Sequence, residues 1–398
     1  MSSSFEDNKG SRRRFLESSA GMAAGMISLG SGNMSPAANS KLQIAVIGVR
    51  SRGRQLIKRF AKLDGVRIHA ICDIDLAQAN RAAGELRDLQ RTHCRIERDY
   101  QNVLAAGDVD AVIIATPDHW HAPMCIDALK AGKHVFLETP MSHTVAETAA
   151  ILLAARNSDR VVFCGMQQRS MSHMQSAIEH VRAGKIGSVR LARAWTSHRR
   201  KSIGLAPDGP APVDVDYKTW LGSAPSRDFN PNRFHYSWRW FWDYGGGELT
   251  NWGIHMIDIA RLGLGVGQPN RVTASGGKYH FKDDQETPDT LTVNYDFADS
   301  TLIWEHREWC TRQIEGRSAG AAFYGDHGTL IVDRSGWKIY DSGEAVPATG
   351  TSRGDTVAED FVAAIRTGDT RREELQSVAI STDLCHVGNM AYRQQSAG

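Results

Sequence analysis

The sequence predicts an α/β protein: an N-terminal doubly wound parallel sheet followed by an α+β domain with a large, open, mostly antiparallel sheet. Three observations carry this expectation. Residues 42–49, "LQIAVIGV", are continuously apolar, as suits a parallel strand covered on both faces. Strand-like and helix-like runs then alternate at βαβ spacing as far as residue 165. Beyond residue 166 the texture shifts to alternating apolar and polar residues, the mark of half-buried antiparallel strands.

The elements follow in order. After the first strand a helix begins near Arg52, and "VRIHAICDID" (66–75) is the next strand. Another helix leads to "VDAVIIATP" (109–117), and a further helix ends near "KAGK" (130–133). "HVFLE" (134–138) is a strand, a helix starts near Thr144, and "RVVFCG" (160–165) completes the sheet. In the second domain, strands are expected at 188–197, 271–280, 290–297 and 300–308, around a Pro-, Gly- and aromatic-rich insertion at 204–247. "DTVAEDFVAAIRTG" (355–368) reads as an amphipathic helix stopped by glycine. The two domains are expected over 41–165 and 166–398, with helices covering one face of the second sheet.

Residues 1–40 stand apart. "SRRRFLESSAGMAAGMISLG" (11–30) sets Arg12 and Arg13 before Phe15-Leu16 and a weakly apolar Gly/Ala-rich run. That is the layout of a twin-arginine export signal, too short and too polar to stay in a bilayer, with small residues for cleavage near Ala37. A periplasmic or otherwise exported location is expected, without an integral membrane span. A disordered basic tail is the plainer alternative. Composition bounds the rest: 398 residues, 41% hydrophobic and 23% charged, suffice for two cores. A net charge of +2 gives no support to a nucleic-acid partner. The six cysteines (72, 94, 125, 164, 310, 385) are scattered and read as thiols in a protein interior.

Three motifs carry chemistry. "GVRSRG" (48–53) is a dinucleotide fingerprint with Arg50 in place of the middle glycine. Asp73, 25 residues after Gly48, suits an adenosine ribose and repels a 2′-phosphate, which favours NAD over NADP. "ATPDHWHAP" (115–123) follows a parallel strand, where Thr116, Pro117, His119 and His121 would line the ligand crevice. The i, i+2 histidines lack a partner set, so no metal is expected. "WDYGGGELTNWGIHMIDIARLG" (242–263) puts Asn251 and His255 on one helical face, with Asp258 a turn beyond. Such a histidine can exchange a hydroxyl proton during hydride transfer, or it can pack in the interior.

Together with "AGKHVFLETP" (131–140), these motifs resemble the glucose–fructose oxidoreductase / inositol dehydrogenase / rhizopine-catabolism (Gfo/Idh/MocA) family, in its exported twin-arginine branch, over nearly all of the chain after residue 41. The resemblance implies a Rossmann domain, a C-terminal sheet domain, a small-molecule sugar substrate, a dinucleotide that can be tightly bound, and a homo-oligomer (dimer or tetramer). In the family's active dehydrogenases a Glu-Lys-Pro motif supplies a catalytic lysine and an Asp-x-x-x-His pair further acid–base groups. Here these positions hold Glu138-Thr139-Pro140 and Asn251 with His255. The catalytic set is therefore expected to be His255, Asn251, Thr139 and Tyr236. Gly48, Arg50, Ser51, Arg52, Gly53, Asp73, Thr116, Pro117, His119, His121, Glu138, Pro140 and Gln167 are expected on the cofactor. Arg169, His235, Arg239 and Asp243 are expected on the substrate. The aromatic patch at 234–244 suits a sugar face, and suits a domain core or subunit contact equally. The function expected is NAD-dependent oxidation of a sugar. The alternatives are NAD-assisted glycoside cleavage without net redox change, which relatives lacking the lysine perform, and a catalytically silent sugar-binding or assembly subunit.

Overall fold

The protein is described by a computed structural model over residues 41–340 and 354–396, so the twin-arginine segment lies outside the described residues. Its first sheet is fully parallel. Its strands are β1 (Leu42–Ile47), β2 (Val66–Cys72), β3 (Arg95–Glu97), β4 (Ala111–Ile114), β5 (His134–Leu137) and β6 (Val162–Cys164), ordered β3-β2-β1-β4-β5-β6. The intervening helices are α1 (Ser51–Phe60), α2 (Leu76–Gln90), α3 (Tyr100–Ala105), α4 (His121–Lys130) and α5 (Val145–Arg156). β1 and β4 are neighbours that leave in opposite directions around the sheet, so a crevice opens beyond their carboxyl ends. β1 and β4 are buried along most of their length, which is why they read as unbroken apolar runs.

The second sheet has seven strands in the order β13-β12-β11-β7-β10-β9-β8. Its elements are α6 (Ser172–Arg182), β7 (Val189–Thr196), α7 (Tyr217–Leu221), α8 (Ile254–Leu264), β8 (Arg271–Gly277), β9 (Thr290–Asp296), β10 (Thr301–Arg307), β11 (Ala319–Gly325), β12 (Gly328–Asp333), β13 (Gly336–Tyr340), α9 (Val357–Thr367) and α10 (Arg372–Ser396). Only β7 and β10 pair in parallel; the other pairs are antiparallel. β9 and β10 alternate between buried and half-buried positions residue by residue, so their period of two was legible. Buried side chains of α6, α8 and α10 pack against one face of this sheet in a core that includes Trp304, Phe323 and Trp337.

Sequence order and packing part company at α9. Its apolar face, Val357, Ala358, Phe361 and Val362, joins Phe60, Phe136 and Phe163 in the core of the first domain. The rings of Phe60, Phe136 and Phe163 surround Phe361 at 5.6–6.1 Å, mostly edge to face. The 204–247 insertion builds a separate aromatic core from Trp220, Phe234, Trp240, Phe241 and Tyr244. The aromatic patch therefore divides: Trp240, Phe241 and Tyr244 are core, while Tyr236 and Trp238 face the crevice. Of the cysteines, 72, 125, 164 and 385 are buried and 94 and 310 partly so; all six are free. Among the described residues no helix is long and apolar enough to cross a membrane.

Candidate functional site

One cleft of about 550 Å³ lies beyond the carboxyl ends of β1 and β4, walled on the far side by the insertion and the start of α8. Its volume is that of a small-molecule site. At its floor the chain leaves β1 through Gly48, whose φ is +80°; a Cβ there would stand 2.8 Å from the Ala115 carbonyl. Only glycine satisfies both demands. Arg50 occupies the N-cap of α1 with φ −76°, outside the left-handed region that would call for glycine. Among the described residues no side chain caps α1, and Arg50, Ser51 and Arg52 at its start line the cleft. Gly53 does not reach the cleft. Its Cα packs against the Gly48 carbonyl, 1.9 Å from where a Cβ would sit, so its part is helix–strand contact rather than the expected cofactor contact.

Asp73 follows β2 and lines the cleft, accepting from the Val49 and Asp75 amides at 2.8 and 3.0 Å. Burial pushes its carboxyl up to about 6, against the pull of those two amides. Each oxygen keeps a lone pair for a ligand hydroxyl. Across the cleft, Glu138 takes Arg52 Nε at 2.8 Å and Gln167 Nε2 at 3.4 Å. Thr116, Pro117, Thr139 and Pro140 line the same stretch, and the Thr116 hydroxyl is buried without a partner among the described residues. The Thr139–Pro140 bond is cis.

Several expected contacts are placed elsewhere. The His119 ring is turned away from the cleft onto the Trp220 carbonyl at 3.0 Å, packed between Trp220 and Tyr244. His121 lines the cleft, but its ring nitrogens face the Pro140 and Thr116 carbonyls at 2.6 and 3.0 Å, so it ties β4 to the Pro140 turn instead of a ribose. Arg169 is not on the substrate side. It grips buried Asp258 through two hydrogen bonds of 2.8 and 2.6 Å and reaches Ser377 of α10. Asp243 pairs with Arg227 at 3.0 Å, outside the cleft. His235 does line it, but against Asp75 at 3.2 Å, beside the Asp73 end rather than the His255 end.

The far wall holds the residues expected to be catalytic. A single π-helical turn, Leu249–Gly253, runs into α8 and presents Asn251 and His255 to the cleft. Asn251 accepts from Arg239 at 2.9 Å and donates to Glu248 at 3.1 Å. Glu248, almost wholly buried, holds both oxygens on Arg200 at 2.8 and 2.9 Å. Arg200 reaches the Tyr236 hydroxyl at 3.4 Å, and the Arg239 guanidinium lies 4.2 Å over the Tyr236 ring. These five side chains close a ring that fixes Asn251 and Tyr236. His255 is 8% exposed, and its Nδ1 is buried with no hydrogen-bond partner among the described residues. Burial, then the cations Arg334 and Arg52, press its imidazole down to about 3. It is a neutral imidazole whose polar atoms the protein leaves unused, which fits a ligand group rather than a structural role. Among the described residues no three His, Cys, Asp or Glu side chains cluster as metal ligands.

Sequence reading missed Asp118, Glu248, Arg200 and Arg334. Asp118 stands in the quoted "ATPDHWH", overshadowed by its histidines, and Glu248 follows the glycine triplet directly. Arg334 reaches the cleft from the β12–β13 turn, far along the chain, with nothing local to mark it.

Six imidazoles make a pH prediction. Burial lowers His119, His121, His134 and His235 to about 4 and His255 and His386 to about 3, against 6.5 for a free ring. Each stays neutral in the fold while the unfolded chain takes up a proton near 6.5. Their stabilisation is whole above 6.5 and is lost as pH falls from there toward 4. Asp73, Asp118, Glu308 and Asp383, which burial raises, have the opposite sign, but they are four groups against these six and the further lowered His143, His198 and His306. Denaturant midpoints should fall steadily from about pH 7 to about pH 4.5; a flat profile would contradict the burial of these rings.

The comparisons with known proteins agree with this architecture. The model of the oxidoreductase family with NAD-binding Rossmann fold matches residues 42–166, and that of its C-terminal alpha/beta domain matches 192–327. A glycosyl hydrolase family 109 protein of Shewanella sp. (strain ANA-3) is 41% identical over 111 residues, 27% of this chain and 24% of its own length. An alpha-N-acetylgalactosaminidase of Shewanella oneidensis is 36% identical over 123 residues, 30% of this chain and 27% of its own. The chain thus spans about a quarter of the length of these curated relatives. The aldose–aldose oxidoreductase of Caulobacter crescentus, solved with glycerol, shares the fold with a TM-score of 0.66 at 20% identity, over 89% of this chain and 98% of that one. With an NAD-binding Rossmann domain followed by the matching α/β domain, the chain belongs to the Gfo/Idh/MocA oxidoreductase family.

Proposed function

We propose that this chain is an exported, NAD-dependent oxidoreductase acting on a sugar or sugar derivative, with a tightly held dinucleotide. The observation that carries the reading is the partnerless His255 imidazole in one cleft with the uncapped N-terminus of α1. Asp73 would hold the adenosine ribose, which favours NAD over NADP. The α1 amides, with Arg50 and Arg52, would hold the pyrophosphate. Thr116, Pro117, Glu138, Pro140 and Gln167 would flank the nicotinamide, whose chemistry when bound is to accept the carbon-bound hydrogen as hydride. His255 then takes the hydroxyl proton, Asn251 orients the reacting sugar, and Tyr236 offers a hydroxyl under the Arg239 cation. Arg12 and Arg13 support the export reading.

A second reading is NAD-assisted glycoside cleavage, in which the sugar is oxidised, loses its aglycone and is reduced again without net redox change. Two observations favour it: no lysine stands at Thr139, and the curated relatives carry glycoside-hydrolase names. Mass spectrometry of small molecules retained through purification should find a dinucleotide under either reading; a protein that carries and binds none contradicts both. A lasting change at the absorbance of reduced nicotinamide, over a panel of free sugars, selects the first reading. Aglycone release from aryl glycosides without that change selects the second. Under the first, Thr139→Lys should raise hydride exchange by up to ~10²-fold, since a cation beside the reacting oxygen supports a proton relay; no gain means that the site has diverged from that chemistry.

A further inference from the structure

Asp118 belongs to none of the roles above, although the chain buries it in the same cleft. Its residue is 3% exposed and lines the pocket with Thr139, Tyr236, Arg239, Asn251 and His255. No donor among the described residues hydrogen-bonds its carboxyl, and the charges that act on it are Arg239, from the insertion, and Glu147, from α5. A buried carboxyl without a partner is costly in a fold unless it keeps its proton or meets a ligand. Arg239, the cation facing it, is the same residue that holds Asn251 at 2.9 Å. Asp118 therefore stands on the Rossmann side of the group whose amide replaces a carboxylate.

We infer that Asp118 is a further catalytic residue, a carboxylic acid that donates its proton to the substrate oxygen and so supplies the acid function that Asn251 cannot. The inference rests on the glycoside-cleaving reading above and deepens it. When an aglycone leaves the transiently oxidised sugar, the C–H bond beside the ketone gives its proton to water and its electron pair to a new C=C bond, the C–O bond breaks with its electrons on the departing oxygen, and that oxygen takes the Asp118 proton. Asp118 is left as a carboxylate beside the Arg239 guanidinium and regains a proton through that water. Burial raises the Asp118 carboxyl well above the ordinary carboxylate range, which favours its protonated form. Burial presses the His255 imidazole down, so it too is held in its neutral form.

The test is Asp118→Asn, which keeps the side-chain shape, in the full chain with its dinucleotide content measured. Two readouts are taken. The first is the infrared difference spectrum of variant against wild type at neutral pH, where the protonated-carboxyl carbonyl band should be lost. The second is turnover of the aryl glycoside that wild type cleaves: kcat should fall by ~10²-fold or more with KM little changed, and the limb of the pH profile belonging to the acid should vanish. An unchanged infrared band overturns the inference, because Asp118 is then ionised. So does a lost band with kcat and pH profile intact. If wild type carries no dinucleotide or releases no aglycone, the glycoside-cleaving reading itself has failed and this inference falls with it. A dinucleotide-loaded, active wild type with an unaffected Asp118→Asn variant sinks the inference alone.

Discussion

His255→Leu should lose ~10²–10⁴-fold in turnover while keeping its dinucleotide and its thermal stability. The two halves of this expectation have separate causes. Turnover falls because, among the described residues, His255 is the cleft imidazole that makes no hydrogen bond or ion pair with the protein. Stability holds because leucine removes a buried nitrogen that has no partner, an arrangement that costs the fold rather than helping it. A histidine packed for structure behaves in the opposite way: its loss lowers the unfolding midpoint and leaves kcat alone. Burial, then Arg334 and Arg52, disfavour the imidazolium, and Asn251 has no negative charge to stabilise it.

Arg169→Met should destabilise the protein by about 3–5 kcal/mol and leave KM for sugar unchanged. The Arg169 guanidinium is 12% exposed and the Asp258 side chain 1%. Burial alone would raise the Asp258 carboxyl, but Arg169, Arg261 and Ser381 hold it below its ordinary value. Removing Arg169 strands a buried carboxylate at the junction of α8 with α10, partly relieved by Arg261 at 3.7 Å. Arg169→Lys should recover only part of the loss, since an ammonium cannot repeat the two-point grip. Denaturant unfolding measures both. A stable variant with a raised KM would return Arg169 to the substrate site, where sequence reading had put it.

That error is instructive about what a sequence displays. Periodicity disclosed the parallel sheet and the exposed antiparallel strands, because there each strand's burial follows its neighbours in the chain. It failed at β3, three residues long, and at β11, whose first five residues are buried on both sides and so do not alternate. α10 was equally hidden: buried Ser381 and Thr382 interrupt its apolar face. The cleft was legible where a turn imposes a residue, as at Gly48, or where a motif gathers the chemistry, as at Asn251 and His255. It was not legible where side chains find partners far along the chain. Asp258 lies 89 residues from Arg169, and Asp75 lies 160 residues from His235, and these partners decide what each side chain is free to do.

The central claim is that a nicotinamide ring lies in this cleft against His255. A crystal structure of the protein with NAD⁺ tests it most directly. The account predicts the adenosine ribose on Asp73, the pyrophosphate at the N-terminus of α1, and the nicotinamide within hydrogen-bonding reach of a sugar hydroxyl held by His255. NAD⁺ bound elsewhere, or a nicotinamide end separated from His255 by protein, would contradict it.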